Sequence, residues 1–372
     1  MNWWWGSVEN NHKLSEAILL QRLICIKQDV TLTESEWELL LCQARSASQV
    51  ARLAYYVFEK SYFSVPDYIA KHLSSAQVYF ESQSRIVCWE LNLLALAFQK
   101  LQLPLVLLKG GAYAAAKLDA SYGRIFSDID ILVPQHRLEE VKNTLIWEGW
   151  FPEKLDAYDQ QYYHKWMHEL PPMRHIDRET TLDIHHNILP QTACSYPDAE
   201  KLYANITRIG ETNFWMLQAE DMVLHSASHL FLNGEFENGL RDLTDMDLLI
   251  RQFSLQIPNF LQRLTIRSRE LSLQQPLFFA FYYCKTLLRC PIADEFIQAL
   301  STHSVQGIRG RIMDLLLRRA LMPDHSSCDD RWTGLARWLL YIRSHWLRMP
   351  VYLLVPHLLR KSWLRLTGEA KH

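Results

Sequence analysis

The chain has 372 residues, is 49% hydrophobic and 22% charged, and carries a formal net charge of −2 at pH 7. That balance excludes a disordered polymer and allows two or three domains around a sizeable core. Seven cysteines, an odd number without CxxC spacing, argue against a disulfide framework or a zinc ribbon and read as reduced core thiols of a cytoplasmic protein.

The N-terminal Met1-Asn-Trp-Trp-Trp-Gly lacks the basic and apolar regions of a secretory signal. From about Leu14 to Lys100 the chain is free of glycine and keeps helical spacing, with Thr33 and Glu36 placed as a capping pair. Arg85 to Leu101 continues as an apolar helix into Pro104 to Leu108, a short buried strand. Lys109-Gly110-Gly111 then forms a turn, Ala112 to Leu118 a short helix, and Asp119 to Phe126 a loop with Gly123 and Arg124. Pro134 to Glu148 is an amphipathic helix, and residues 150–175 are aromatic, contain histidine and are irregular. Thr180 to His186 is a further strand with Asp183 and His185 on its polar face. Beyond about Glu211 the helical pattern returns in six segments: Glu220 to Leu232, Gly239 to Phe253, Pro258 to Leu273, Pro276 to Arg289, Ile308 to Arg319 and Gly334 to Arg348. The expected class is α+β: a small mixed-sheet core at residues 101–210 between helical regions at 1–100 and 211–372.

Ser127-Asp-Ile-Asp-Ile-Leu-Val133 carries the densest chemistry. Alternation of Ile129, Ile131 and Val133 with Asp128, Asp130 and Leu132 predicts a half-buried strand. Residues i and i+2 of a strand point the same way about 6.6–6.8 Å apart, so both carboxylates can converge on bound cations. Without a counter-charge, their repulsion would drive one toward protonation. The Gly110-Gly111 turn ahead of a helix offers backbone N–H groups to phosphate. Neither motif is specific alone, but their order, with a later strand carrying Asp183, is.

This order resembles the nucleotidyltransferases of the DNA polymerase β superfamily. More narrowly, Leu107-Leu-Lys-Gly-Gly-Ala112, Gly123-Arg-Ile-Phe-Ser-Asp-Ile-Asp-Ile-Leu-Val133 and Leu182-Asp-Ile-His-His186 are similar to a little-characterised bacterial group within it. The resemblance implies that Asp128, Asp130 and Asp183 hold two Mg²⁺ ions, with Mn²⁺ as an alternative, and that an NTP donates its NMP to an acceptor with release of pyrophosphate. Asp183 would also take the acceptor's proton. Lys109, Gly110, Gly111, Arg124 and Ser127 are the implied nucleotide contacts. In-line phosphoryl chemistry independently calls for positive charge on both attacking and leaving oxygens, which two ions about 3.5–4 Å apart supply.

Other features have plainer readings. His185 shares the face of Asp183 and either orients it, touches substrate or is a structural histidine. Asp242 and Asp245 share a helix face and can join a network with His225 or Arg241, or form a salt-bridged face. Asp245 and Asp247 project about 200° apart and make a poor metal site. His225 and His229 have the i, i+4 spacing of a zinc helix, but Ser226 stands where a metalloprotease needs Glu. Arg331 to Arg365 interleaves tryptophans with seven basic residues, either a helix face or a contact for an anionic membrane or nucleic acid. Pro350 to Leu359 is too short to span a bilayer. The acceptor, whether small molecule, saccharide, protein or RNA, has no recognisable code. Two other readings stand beside transfer: an Asp-x-Asp nucleotide-sugar glycosyltransferase, and a non-catalytic nucleotide-binding module.

Overall fold

The computed structural model describes residues 17–24, 32–126, 128–153, 167–193, 195–233, 236–301 and 307–348. Its centre is a mixed sheet of seven strands: β1 (Leu105–Leu107), β2 (Asp128–Leu132), β3 (Trp150–Pro152), β4 (Met173–His175), β5 (Thr181–His185), β6 (Thr207–Arg208) and β7 (Phe214–Met216). Their spatial order is β3-β4-β5-β2-β1-β7-β6. β2 lies at the middle, antiparallel to β1 and parallel to β5, while β1 and β7 are also parallel. The sheet therefore has the mixed character expected, flanked by helices on its N- and C-terminal sides.

Several details differ from the expectation. β2 is buried along both faces from Ile129 onward, not half-buried: Ile129 and Ile131 enter the core on one side while Asp130 and Leu132 are covered on the other. The 150–175 stretch supplies β3 and β4, and β6 and β7 follow the core motifs. Each of these strands has three residues or fewer, so no periodic pattern could reveal it. A helix at Asp294–Ser301 adds to the six anticipated after residue 211.

Helix α1 (Ile18–Ile24), α2 (Glu34–Ser46) and α3 (Val50–Phe58) precede the 34-residue α4 (Asp67–Lys100), which packs on β1. Thr33 caps α2 as predicted: its hydroxyl accepts the Glu36 N–H while the Glu36 carboxylate accepts the Thr33 N–H. α5 (Lys109–Ala115) lies against β2, and α6 (Leu138–Trp147) follows β2. In the C-terminal region the helix Ala219–Asn233 packs against Gly239–Gln256, Gln274–Leu288 and Thr333–Arg348. The cysteines split: Cys284, Cys290 and Cys328 are buried, but Cys42 and Cys88 are exposed free thiols, so the core-thiol reading does not hold for these two.

The helical flanks are tied together by buried charge. Arg52 on α3 is 1% exposed and donates to Asp245 of Gly239–Gln256 at 2.7 Å and to the Ala120 carbonyl at 2.8 Å. Gly123 makes this approach possible. Its φ is +70°, and a Cβ there would stand 2.3 Å from the Arg52 Cα. Gly123→Ala is therefore expected to lower stability by more than about 2 kcal/mol, since it adds backbone strain to a clash with main chain. Chemical denaturation followed by circular dichroism checks this.

Candidate active site

The parallel pairing of β2 with β5 sets Asp130 directly opposite Asp183. Neighbouring strands lie about 4.8 Å apart, so the two carboxylates project side by side from one face. Asp128, two residues before Asp130, projects the same way. One oxygen from each of the three lies within 4.8 Å of the other two.

The environments of the three carboxylates differ. Burial alone would raise Asp130, but the Lys109 ammonium and the His185 hydrogen bond hold it well below the usual carboxylate range. Lys109 Nζ and His185 Nε2 each stand 2.9 Å from Asp130 Oδ1. Asp183 has no such cation: burial, then the neighbouring Asp130 charge, push it up from 3.8 to about 7, and its buried Oδ1 has no hydrogen-bond partner. This oxygen, deprived of water and beside two other carboxylates, fits a divalent cation with all-oxygen preference. The donor set suits Mg²⁺ or Mn²⁺.

Lys109 reaches Asp130 from the first residue of α5. The Leu108 N–H donates to the Asp130 carbonyl at 2.9 Å, anchoring the helix start to β2. Lys109 itself has φ +42°, a region that costs a residue with a β-carbon roughly 1–2 kcal/mol, and its ion pair offsets that strain. The glycines thus lie inside the first turn of the helix, which begins three residues before the expected start at Ala112. Gly110 lines the cleft and packs so closely that a Cβ would stand 2.9 Å from the Phe126 ring. Gly111 faces open space and does not line it.

Arg124 is 8% exposed, with its Nε 2.9 Å from Asp245 Oδ2, and it also borders the cleft. It thus joins the Asp245 network together with Arg52, while its buried Nη1 has no hydrogen-bond partner. Asp242 pairs with Arg241 at 2.9 Å. His185 contacts Asp130 and Glu169, so it does not orient Asp183 by a direct bond. Ser127 lies outside the described residues. His225 is buried, His229 is half-buried and lines the cleft, and desolvation holds both well below 6.5 as neutral imidazoles. Sequence reasoning missed His168 and Glu169, which reach the site from the stretch before β4, and Arg52, 193 residues from its partner. Only folding brings them close.

The acidic face opens into a cleft of about 1390 Å³, beyond the range of about 300–1,000 Å³ common for small-ligand sites. Its lining includes Lys109, Gly110, Asp128 and Asp130, together with Tyr79, Ile86 and Glu90 of α4 and Trp338 and Tyr341 of Thr333–Arg348. Asp183 is not part of that lining but adjoins it through Asp128 and Asp130. The basic C-terminal stretch contributes to this cleft instead of presenting all its charge outward. Arg337 pairs with Asp324, and Arg343 donates to the Phe231 carbonyl. Trp332, Trp338 and Trp346 remain half exposed, and residues 349–365 lie outside the described part. No helix among the described residues is long and apolar enough to cross a membrane.

A mixed sheet whose paired parallel strands converge three carboxylates beside a lysine-bearing helix start defines a nucleotidyltransferase of the polymerase-β-like fold. A family model described as "Uncharacterised nucleotidyltransferase" matches residues 33–289. That span is more than half of the chain, and the protein belongs to this family. No curated protein and no solved structure gives a match. The family places the chain among enzymes with nucleotidyltransferase-type activity, which the glycosyltransferase reading does not share.

Proposed function

We propose that the protein transfers a nucleoside monophosphate from an NTP, ATP among the candidates, to an acceptor bound in the same cleft, releasing pyrophosphate. The observation that carries this reading is the convergence of Asp128, Asp130 and Asp183 within 4.8 Å at the edge of a cleft large enough for two substrates. Asp128 and Asp130 would hold two divalent cations, with Asp183 completing the second position. When bound, these ions supply positive charge to the attacking and leaving oxygens.

The chain's own groups do the rest. Lys109 keeps Asp130 ionised and stands at the start of α5, where backbone N–H groups and the helix dipole favour a phosphate. Gly110 makes room for the Phe126 ring beside that backbone, and both residues line the cleft. Asp183, whose Oδ1 has no hydrogen-bond partner, is the carboxylate placed to take the acceptor's proton. The aromatic rings that line the cleft, Tyr79, Trp338 and Tyr341, would receive the acceptor. Incubation of the enzyme with Mg²⁺, each α-labelled NTP and a cell extract tests the reading. A molecule that gains the mass of one nucleotide supports it, and pyrophosphate-free hydrolysis of the NTP with no labelled acceptor would count against it.

The raised value of Asp183 has a measurable consequence. Below about 7 the metal-free protein holds a proton there, which a cation must displace. Mg²⁺ affinity should therefore fall about tenfold per pH unit as pH drops below about 7, with one proton released per binding event. The stability sign is the reverse of the usual carboxylate case. The folded state binds this proton more tightly than the unfolded state, so metal-free protein should lose stability as pH rises from about 4 to about 7. Saturating Mg²⁺ should remove that loss. Calorimetric Mg²⁺ titrations between pH 5.5 and 8 in buffers of different ionisation enthalpy report both affinity and proton release.

A further inference from the structure

Beside the three aspartates, a second set of ligating side chains gathers at the end of β5. Glu169 lies directly opposite His185 through an antiparallel bridge. The Leu170 N–H donates to the Ile184 carbonyl at 2.9 Å and the His186 N–H to the His168 carbonyl at 2.8 Å, which fixes the backbone on both sides of Glu169. Directly opposed residues of antiparallel neighbours project from one face with Cβ atoms about 4.5–5.5 Å apart, and Glu169 Oε2 stands 3.2 Å from His185 Nδ1. His168 closes the group, its ring centroid 5.4 Å from that of His185. It is 6% exposed, its Nδ1 has no hydrogen-bond partner, and its Nε2 points at Glu169 Oε2 from 4.0 Å, beyond hydrogen-bond reach. One ligand atom from each of the three lies within 4.8 Å of the others.

We propose that His168, Glu169 and His185 form a binding site for a divalent transition metal of the zinc class, separate from the carboxylate site for hard cations. Zinc–nitrogen and zinc–oxygen bonds of about 2.0–2.2 Å put tetrahedral ligand atoms roughly 3.4 Å apart, and the separations of 3.2 and 4.0 Å bracket that value. Two imidazoles and one carboxylate favour zinc, cobalt or nickel over magnesium, which takes oxygen ligands. Three protein ligands leave a fourth position open to water or substrate. The site also has an outer partner, because His185 Nε2 lies 2.9 Å from Asp130 Oδ1. A metal on Nδ1 fixes the remaining proton on Nε2, so that His185 donates to Asp130 and holds its carboxylate in one orientation. His185 is thus a positioning residue. That consequence rests on the transferase reading, whereas the binding itself does not.

Cobalt(II) titration of the untagged full-length protein in excess Mg²⁺ tests the site, with Mg²⁺ present to saturate the all-oxygen ligands. The expected result is one Co²⁺ per chain with the intense visible absorption of a four- or five-coordinate, nitrogen-ligated ion, displaced by Zn²⁺. Glu169→Gln and His168→Ala should each weaken binding at least about tenfold, while Asp128→Asn leaves it unchanged. Only weak octahedral absorption in the wild type, or binding that survives both the Glu169 and His168 changes, overturns the proposal. If His168→Ala does not fold, the wild-type spectrum and the partly exposed Glu169→Gln variant decide it. Intact cobalt binding without any nucleotidyl transfer would count against the transferase reading alone.

Discussion

Replacing Asp130 with asparagine is expected to cut nucleotidyl transfer by roughly 10³-fold or more, the scale on which removing a preorganised charge at a reacting centre acts. Asp130 is the hub of the acidic face. It is the register partner of Asp183 and shares the β2 face with Asp128. Its Oδ1 also accepts from both Lys109 and His185. Asparagine keeps the volume but removes the charge on which a cation and Lys109 both depend. The loss should appear in turnover and in Mg²⁺-dependent nucleotide binding together, while far-ultraviolet dichroism stays native. Because Lys109 and His185 hold Asp130 well below the usual carboxylate range, the wild-type residue should stay ionised throughout the working pH range. Acid loss of activity should then follow Asp183. A variant that keeps more than a tenth of wild-type transfer in the labelled-NTP assay would contradict this role.

The largest effect on stability is expected at Asp245. Both of its oxygens are taken by buried guanidinium groups, Oδ1 by Arg52 at 2.7 Å and Oδ2 by Arg124 at 2.9 Å. Asp245→Asn leaves two arginines buried with no counter-charge, and breaking such a group costs about 3–5 kcal/mol. The cost is structural and also local to the site, because Arg124 lies over the Tyr113 ring and borders the cleft. Urea denaturation should show a lower midpoint with an unchanged slope. Asp242→Asn, which breaks only the partly exposed pair with Arg241, should cost under about 1 kcal/mol. Equal effects of the two changes would show that the buried network does not join the flanks.

What could be read beforehand follows from the range over which each signal acts. Ile129 and Ile131 alternate with Asp128 and Asp130 within five residues, and the order of helix start, Asp-x-Asp strand and Asp183 strand is linear, so the acidic face was legible. The helices were legible too, since each repeats its apolar spacing over several turns. β3, β4, β6 and β7 were not, because strands of two or three residues carry no period and form only where a neighbour supplies hydrogen bonds. Arg124 shows a subtler limit. A basic residue ahead of an Asp-x-Asp strand suggests phosphate, but its pairing with Asp245, in a helix more than a hundred residues later, could not be read beforehand. His185 points the same way: sharing a strand face with Asp183 did not disclose that its two nitrogens would be divided between Asp130 and Glu169. Lys109 was visible as a cation near glycines, but its approach to Asp130 depends on a left-handed backbone that composition does not encode.

The most direct test of the central claim is calorimetric binding of a non-hydrolysable NTP analogue, with and without Mg²⁺, to the wild type and to the Asp128→Ala, Asp130→Ala double variant. The site described here predicts tight binding to the wild type only when Mg²⁺ is present, and no Mg²⁺-dependent component in the double variant. Mg²⁺-dependent binding that is the same in both proteins would contradict it.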